Sequence, residues 1–119
     1  MLRSCLLGMT LLLTMPSAFA QSMQGMPMGT ASPNEAPSTK GYREAMMKMD
    51  QGMSITYSGN ADKDFVAGMM PHHQGAIDMA KVELQYGKDP QLRKLARDII
   101  AAQQKEIAFM QSWQAKHAK

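Results

Sequence analysis

The sequence predicts an all-α protein: a helical bundle of about three helices that follows a disordered N-terminal tail. Apolar residues recur at three- and four-residue spacing through residues 42–53, 62–86 and 90–116, as on the buried face of a helix. Start and stop residues bracket these stretches, and a Pro-, Gly- and Ser-rich stretch precedes them. Residues 1–20 are predicted to be a signal peptide, 21–40 a Met-rich disordered linker, and 41–119 the helical domain.

The leader opens with Arg3, continues through an apolar run over residues 6–13, and is broken by Pro16 ahead of Ala18-Phe19-Ala20. This is the pattern of a secretory signal cleaved after Ala20, too short and wrongly flanked for a membrane span. The expected location is the periplasm or the cell exterior, with no membrane attachment in the mature form. Cys5 is the one cysteine and goes with the leader, so the mature chain has neither disulfide nor thiolate. Loss of Arg3 lowers the formal charge from +3 to +2, and the charges are mixed along the helices, which does not suit nucleic-acid binding. The compositional bias is methionine: three of fourteen leave with the signal, and eleven remain.

The linker has no aromatic residue and no aliphatic residue beyond Ala and Met, so it cannot bury enough apolar area to offset its ordering entropy. Met23, Met26 and Met28 cluster inside it. They are either part of an unremarkable Met-rich linker or a flexible thioether clamp for copper(I).

The first helix is predicted to be capped by Ser38 or Thr39 and to run from about 42 to 53. Met46, Met49 and Met53 share one of its faces, as core or as ligands. Residues 54–61 form a loop with a turn at Ser58-Gly59-Asn60. Asp62 is expected to cap the second helix, Asp64 to favour its dipole, and Gly87 to end it. At about 100° per residue, Phe65, Met69, His72, His73, Ala76, Met79, Ala80 and Glu83 fall in one inward arc, with Lys63, Gln74, Lys81 and Gln85 outside it.

Pro71 lies within this helix, at a cost of roughly 3 kcal/mol relative to Ala, so a kink is expected. If the helix restarts there, the imidazoles of His72 and His73 sit near a positive helix end that favours their neutral, metal-binding form. Asp89-Pro90 opens the third helix, whose core face is predicted to carry Leu92, Leu95, Ala96, Ile99, Gln103, Ile107, Met110 and Trp113 or Gln114. Gln103 and Glu106 interrupt that face. They either accept an imidazole N–H from the second helix, as partners of histidine ligands do, or lie at the bundle edge. His117 reads as a surface histidine.

Two adjacent histidines among methionines suit a soft, low-valent metal, copper(I) above all. The candidate ligands are His72, His73, Met69 and Met79 of the second helix and Met46, Met49 and Met53 of the first, with Gln103 and Glu106 behind them. Adjacent residues diverge by about 100°, so the two histidines need not serve one ion.

The run DFVAGMMPHHQGAIDMAKVELQYGKDPQLRKLARDIIAAQQKEIAFMQSW resembles the family catalogued as domain of unknown function 305, which includes periplasmic copper-binding proteins of the CopM kind. The resemblance spans residues 42–113 and rests on the His pair, the following Met79 and the Gln103-x-x-Glu106 pattern. It implies a small ferritin-like bundle that binds copper(I) through His72, His73, Met79 and the Met46/Met49 stripe, with a role in copper tolerance.

The leading expectation is a periplasmic copper-binding protein for sequestration, transport or tolerance, taking copper(I), with copper(II) as a further option, without turnover. A copper-handling protein would be its partner. No enzyme is expected: neither Glu83 nor Glu106 is followed by His three residues on, as a di-iron bundle requires, and no H-E-x-x-H, nucleophile elbow or phosphate loop occurs. The alternative is a non-enzymatic interaction module whose Met-rich face docks a partner helix or a second copy, since three helices leave a bundle incomplete.

Overall fold

The computed structural model describes residues 34–118. The chain there forms α1 (Pro37–Met53), α2 (Ala61–Tyr86) and α3 (Pro90–Lys116), with no strand among the described residues. The expected leader and the Met23, Met26 and Met28 cluster lie outside them. α2 is central: α1 packs along one flank and α3 along the other, and α1 and α3 do not pack against each other.

α1 begins earlier than the sequence suggested. Pro37 occupies its first turn behind Ala36, which makes no side-chain cap bond. Ser38 and Thr39 are therefore inside the helix rather than capping it, because the fixed φ of proline already suits the first helical position. Residues 37–40, expected to belong to the linker, form the opening turn.

The cap of α2 is Asn60 rather than Asp62: its side-chain oxygen accepts the Lys63 N–H at 3.1 Å. Gly59 turns the chain into this cap with φ +82°, a conformation that costs other residues. Asp64 reaches back over the turn and accepts the Ser58 N–H at 2.8 Å, the Ser58 hydroxyl at 2.7 Å and the Gly59 N–H at 3.1 Å. The backbone bond from Ser58, then its hydroxyl, and lastly Gly59 hold the Asp64 carboxyl below its ordinary pKa. Asp62 keeps a favourable first-turn position.

α2 runs unbroken through Pro71. The imidazoles that follow are thus in mid-helix and not at a fresh, positive helix end. Pro71 packs against α1, where a methyl on Gly52 would come within 2.6 Å of its Cβ. The same close approach recurs along the α1–α2 seam. A methyl on Gly75 would lie 2.6 Å from the Met49 sulfur, and one on Gly41 would lie 3.0 Å from Val82. The order of these pairs makes the two helices antiparallel.

Gly87 ends α2 with φ −69°, not in the left-handed region. The Glu83 carboxylate lies where a methyl on Gly87 would go, and this flexible side-chain end would have to swing aside for one. Arg93 of α3 closes the hairpin, donating from Nη1 to the carbonyls of Leu84 at 2.6 Å and Gly87 at 2.9 Å. Asp89 caps α3 by accepting the N–H groups of Gln91 at 2.8 Å and Leu92 at 2.9 Å, with Pro90 in the first turn.

The core is thin. Ala45, Val66, Ile77, Ala80, Val82, Ala96 and Met110 are its buried apolar residues, and no large side chain of the described residues is completely enclosed. Several residues expected in the core lie at the surface instead. Leu92 and Leu95 are each 53% exposed, Phe65 is 62% exposed, and Met46 and Met53 are also open to solvent. Helical phase explains this. On α2 the residues facing α1 (Pro71, Gly75, Val82) and those facing α3 (His73, Ile77, Ala80) stand roughly 180° apart at about 100° per residue. The three helices form one layer, and the described helices leave one side of it open.

Candidate metal centre

Two adjacent histidines on a helix point about 100° apart, and the neighbours of α2 give them different surroundings. His73 turns toward α3 and is largely shielded, with 13% of its side chain exposed. His72 lies on the bare side of α2 and is exposed. Their ring centroids are 5.9 Å apart at an interplanar angle of 63°. The single inward arc expected for both is therefore split, because none of the described helices lies opposite His72.

His73 Nε2 and Glu106 Oε2 are 2.6 Å apart, joining α2 to α3. An ionised carboxylate can only accept, so Nε2 carries the donated proton, and in the neutral ring the lone pair is on Nδ1. His73 Nδ1 is buried and has no hydrogen-bond partner; neither has the buried side-chain oxygen of Gln103. Of the two polar residues flagged on the third helix, Glu106 supplies the acceptor for His73, and Gln103 does not.

The methionines divide in the same way. By helical phase Met69 and Met79 lie on the bare side of α2 with His72, and Met46 and Met53 lie on the bare side of α1. Met79, Met46 and Met53 are exposed. Met49 instead tucks against Gly75 in the α1–α2 seam and is partly buried. Near the same face, the Tyr42 hydroxyl donates to Glu83 Oε2 at 3.3 Å. Burial pushes that phenol above its ordinary pKa, and the charge and hydrogen bond of Glu83 add to the shift.

A groove of about 340 Å³ runs beside His73 and Glu106, walled by Phe65, Val66, Phe109 and Trp113. Sequence reasoning placed Phe65 and Trp113 in the core and gave Phe109 no role. The available signal was the breadth of the apolar stripe on α3, wider than one neighbouring helix can cover. His117 stays at the surface, its ring stacked on Trp113 at 4.2 Å.

Among the described residues no three His, Cys, Asp or Glu side chains gather as a ligand group. On the open side of α2, His72, Met69 and Met79 offer imidazole and thioether groups beside the Glu83 carboxylate. An orphaned imidazole nitrogen whose other nitrogen is held by a carboxylate also fits a metal ligand.

The model of the family described as a domain of unknown function (DUF305) matches residues 12–114. The chain belongs to this family. An uncharacterized protein of Acanthamoeba polyphaga mimivirus is 49% identical over 51 residues, which cover 43% of this chain and 34% of that protein. The chain thus aligns with about a third of that relative's length.

Proposed function

We propose that this DUF305 protein binds copper(I) in the periplasm or outside the cell, for sequestration, transport or tolerance, and performs no chemical turnover. The observation that carries the reading is the state of His73. Its Nε2–H is taken by Glu106, and its Nδ1 is buried without a partner. Histidine ligands of metals characteristically have this arrangement, in which the outer carboxylate fixes the tautomer and raises the basicity of the other nitrogen.

The ligand set would draw on His73 and His72, with the thioethers of Met69 and Met79 on the same helix and Met46 and Met53 on α1. Thioethers favour copper(I), and imidazole also accepts copper(II). The bound ion is cargo, passed to or from a copper-handling protein. The leader over residues 1–20 supports the location.

The test is anaerobic competition of the protein against a coloured copper(I) chelator. His73→Ala, His72→Ala and a variant lacking Met23, Met26 and Met28 are run beside it. Tight uptake that fails in His73→Ala, with helical content unchanged, supports the bundle site. Failure of the parent protein to compete overturns the reading. Loss confined to the tail variant moves the site out of the helices.

A further inference from the structure

The bare side of the helical layer is too large and too apolar to be left in water. Phe109 is 71% exposed, Phe65 62%, and Leu92 and Leu95 53% each. Helical phase puts them on one side with Met79 and Trp113. A groove beside Trp113 and a second one of about 290 Å³ between Met79 and Leu95 follow one another along the α2–α3 seam. Contiguous apolar patches beyond a few hundred Å² mark interaction surfaces.

We propose that a second copy of this chain covers that side, forming a two-layer helical dimer with α2 crossing α2 near Ala76.

Three arguments select this occupant. The first is area. α2 and α3 have 26 and 27 residues, hence lengths of about 40 Å, and three helices side by side span roughly 25 Å. Allowing for the shorter α1, the side offers on the order of 900 Å² per copy, against about 800 Å² per partner in a standard stable interface.

The second is charge. By phase, α2 directs no Lys or Arg to this side; Lys63 and Lys81 point to the opposite one, and Lys105 and Lys116 of α3 lie along its outer edge, beyond Phe109. A dry protein interface keeps lysines at its rim; Glu83 and Glu106, which line the two grooves, are paired with the Tyr42 hydroxyl and with His73.

The third is symmetry. The two grooves flank the middle of α2, and a two-fold axis there lays one end of the seam over the other end of its mate, so one surface serves both partners. Ala76 is the small residue nearest the helix midpoint on this side, which lets two α2 helices approach closely. The thin core of the single layer gains a second layer in this way.

The test uses metal-free protein, so its result is independent of copper. Sedimentation equilibrium should give twice the chain mass. Leu95→Glu and Phe109→Glu should each weaken association at least tenfold, with the helical circular dichroism retained, because each buries an unpaired carboxylate. In a Cys5→Ser background, Ala76→Cys should form a disulfide-linked dimer on mild oxidation, and Lys81→Cys should not. A monomer at millimolar concentration overturns the proposal, whether or not that monomer binds lipid vesicles or another protein. A dimer that survives both Glu variants and does not cross-link through Ala76→Cys also overturns it.

Discussion

His73 and Glu106, 33 residues apart in sequence, meet at 2.6 Å between α2 and α3 and leave Nδ1 of the imidazole buried without a partner. The carboxylate is the more exposed member, at 61% against 13% for the imidazole. As a surface ion pair the contact would add little to stability. Its larger consequence is the choice of ring nitrogen left free for a ligand.

Replacing Glu106 by Gln should therefore weaken copper(I) binding more than it weakens the fold. The amide can still accept from Nε2 but adds no negative charge, so the ring becomes a poorer donor. The expected loss is about 10- to 100-fold in affinity, the usual consequence of removing a ligand's supporting partner. Chelator competition measures it, and a thermal melt on the same sample should move by no more than a few degrees. An equal loss in Glu106→Gln and in Gln103→Ala would point to general loosening of the α2–α3 seam.

The turn before α2 gives a pH prediction. Asp64 is held below its ordinary pKa, first by the backbone N–H of Ser58, then by that residue's hydroxyl and the Gly59 N–H. A carboxyl whose folded-state pKa is depressed contributes stability that is fully present above its unfolded pKa. That contribution is lost as pH falls through the folded-state pKa. Melts recorded from neutral pH to below pH 4 should show the parent losing stability faster than Asp64→Asn over the acid range. Parallel curves would mean that the turn does not couple to folding.

Gly59, in the same turn, has φ +82° with open space where a side chain would go. Gly59→Ala should cost about 1 kcal/mol through backbone strain alone, and Gly59→Asn less, because Asn tolerates the left-handed region better. Urea denaturation of the two variants distinguishes strain from a clash, since a clash would penalise Asn more than Ala.

The three helices were legible in the sequence because apolar spacing and the Asp89-Pro90 start are local signals. The side of each helix that is buried was not. Phe65, Leu92 and Leu95 carry the periodicity of a core, yet they face solvent because α1 and α3 take opposite flanks of α2. That depends on pairwise packing at Gly41, Gly52 and Gly75, which no periodicity count weighs. Asn60 displaced Asp62 as cap because Asp64 draws the preceding turn back onto itself. At the site, the adjacency of His72 and His73 and the methionines around them was readable. The tautomer of His73 was not, since it is set by a contact between distant helices.

Those glycine contacts support the last prediction. Gly52 faces the rigid ring of Pro71, and a methyl at Gly52 would lie 2.6 Å from the ring's Cβ. Gly75 faces the flexible Met49, whose sulfur would be equally close. Exchanging a helical Gly for Ala alone should stabilise by up to about 1 kcal/mol through propensity. Overpacking opposes this by about 1–3 kcal/mol where the neighbour cannot yield. Gly52→Ala should therefore destabilise by about 1–2 kcal/mol, or roughly 4–16 °C in Tm for a domain of this size. Gly75→Ala should destabilise as well, by about 1–3 kcal/mol, because the Met49 Cβ, which no rotamer change moves, would lie 2.8 Å from the added methyl. The pair Gly75→Ala/Met49→Ala keeps the Cβ–Cβ contact and loses the thioether packing, so it should be less stable than Gly75→Ala alone. If Gly52→Ala instead raises Tm, the α1–α2 seam is looser than these contacts require, and the flat arrangement of the layer would rest on the loops.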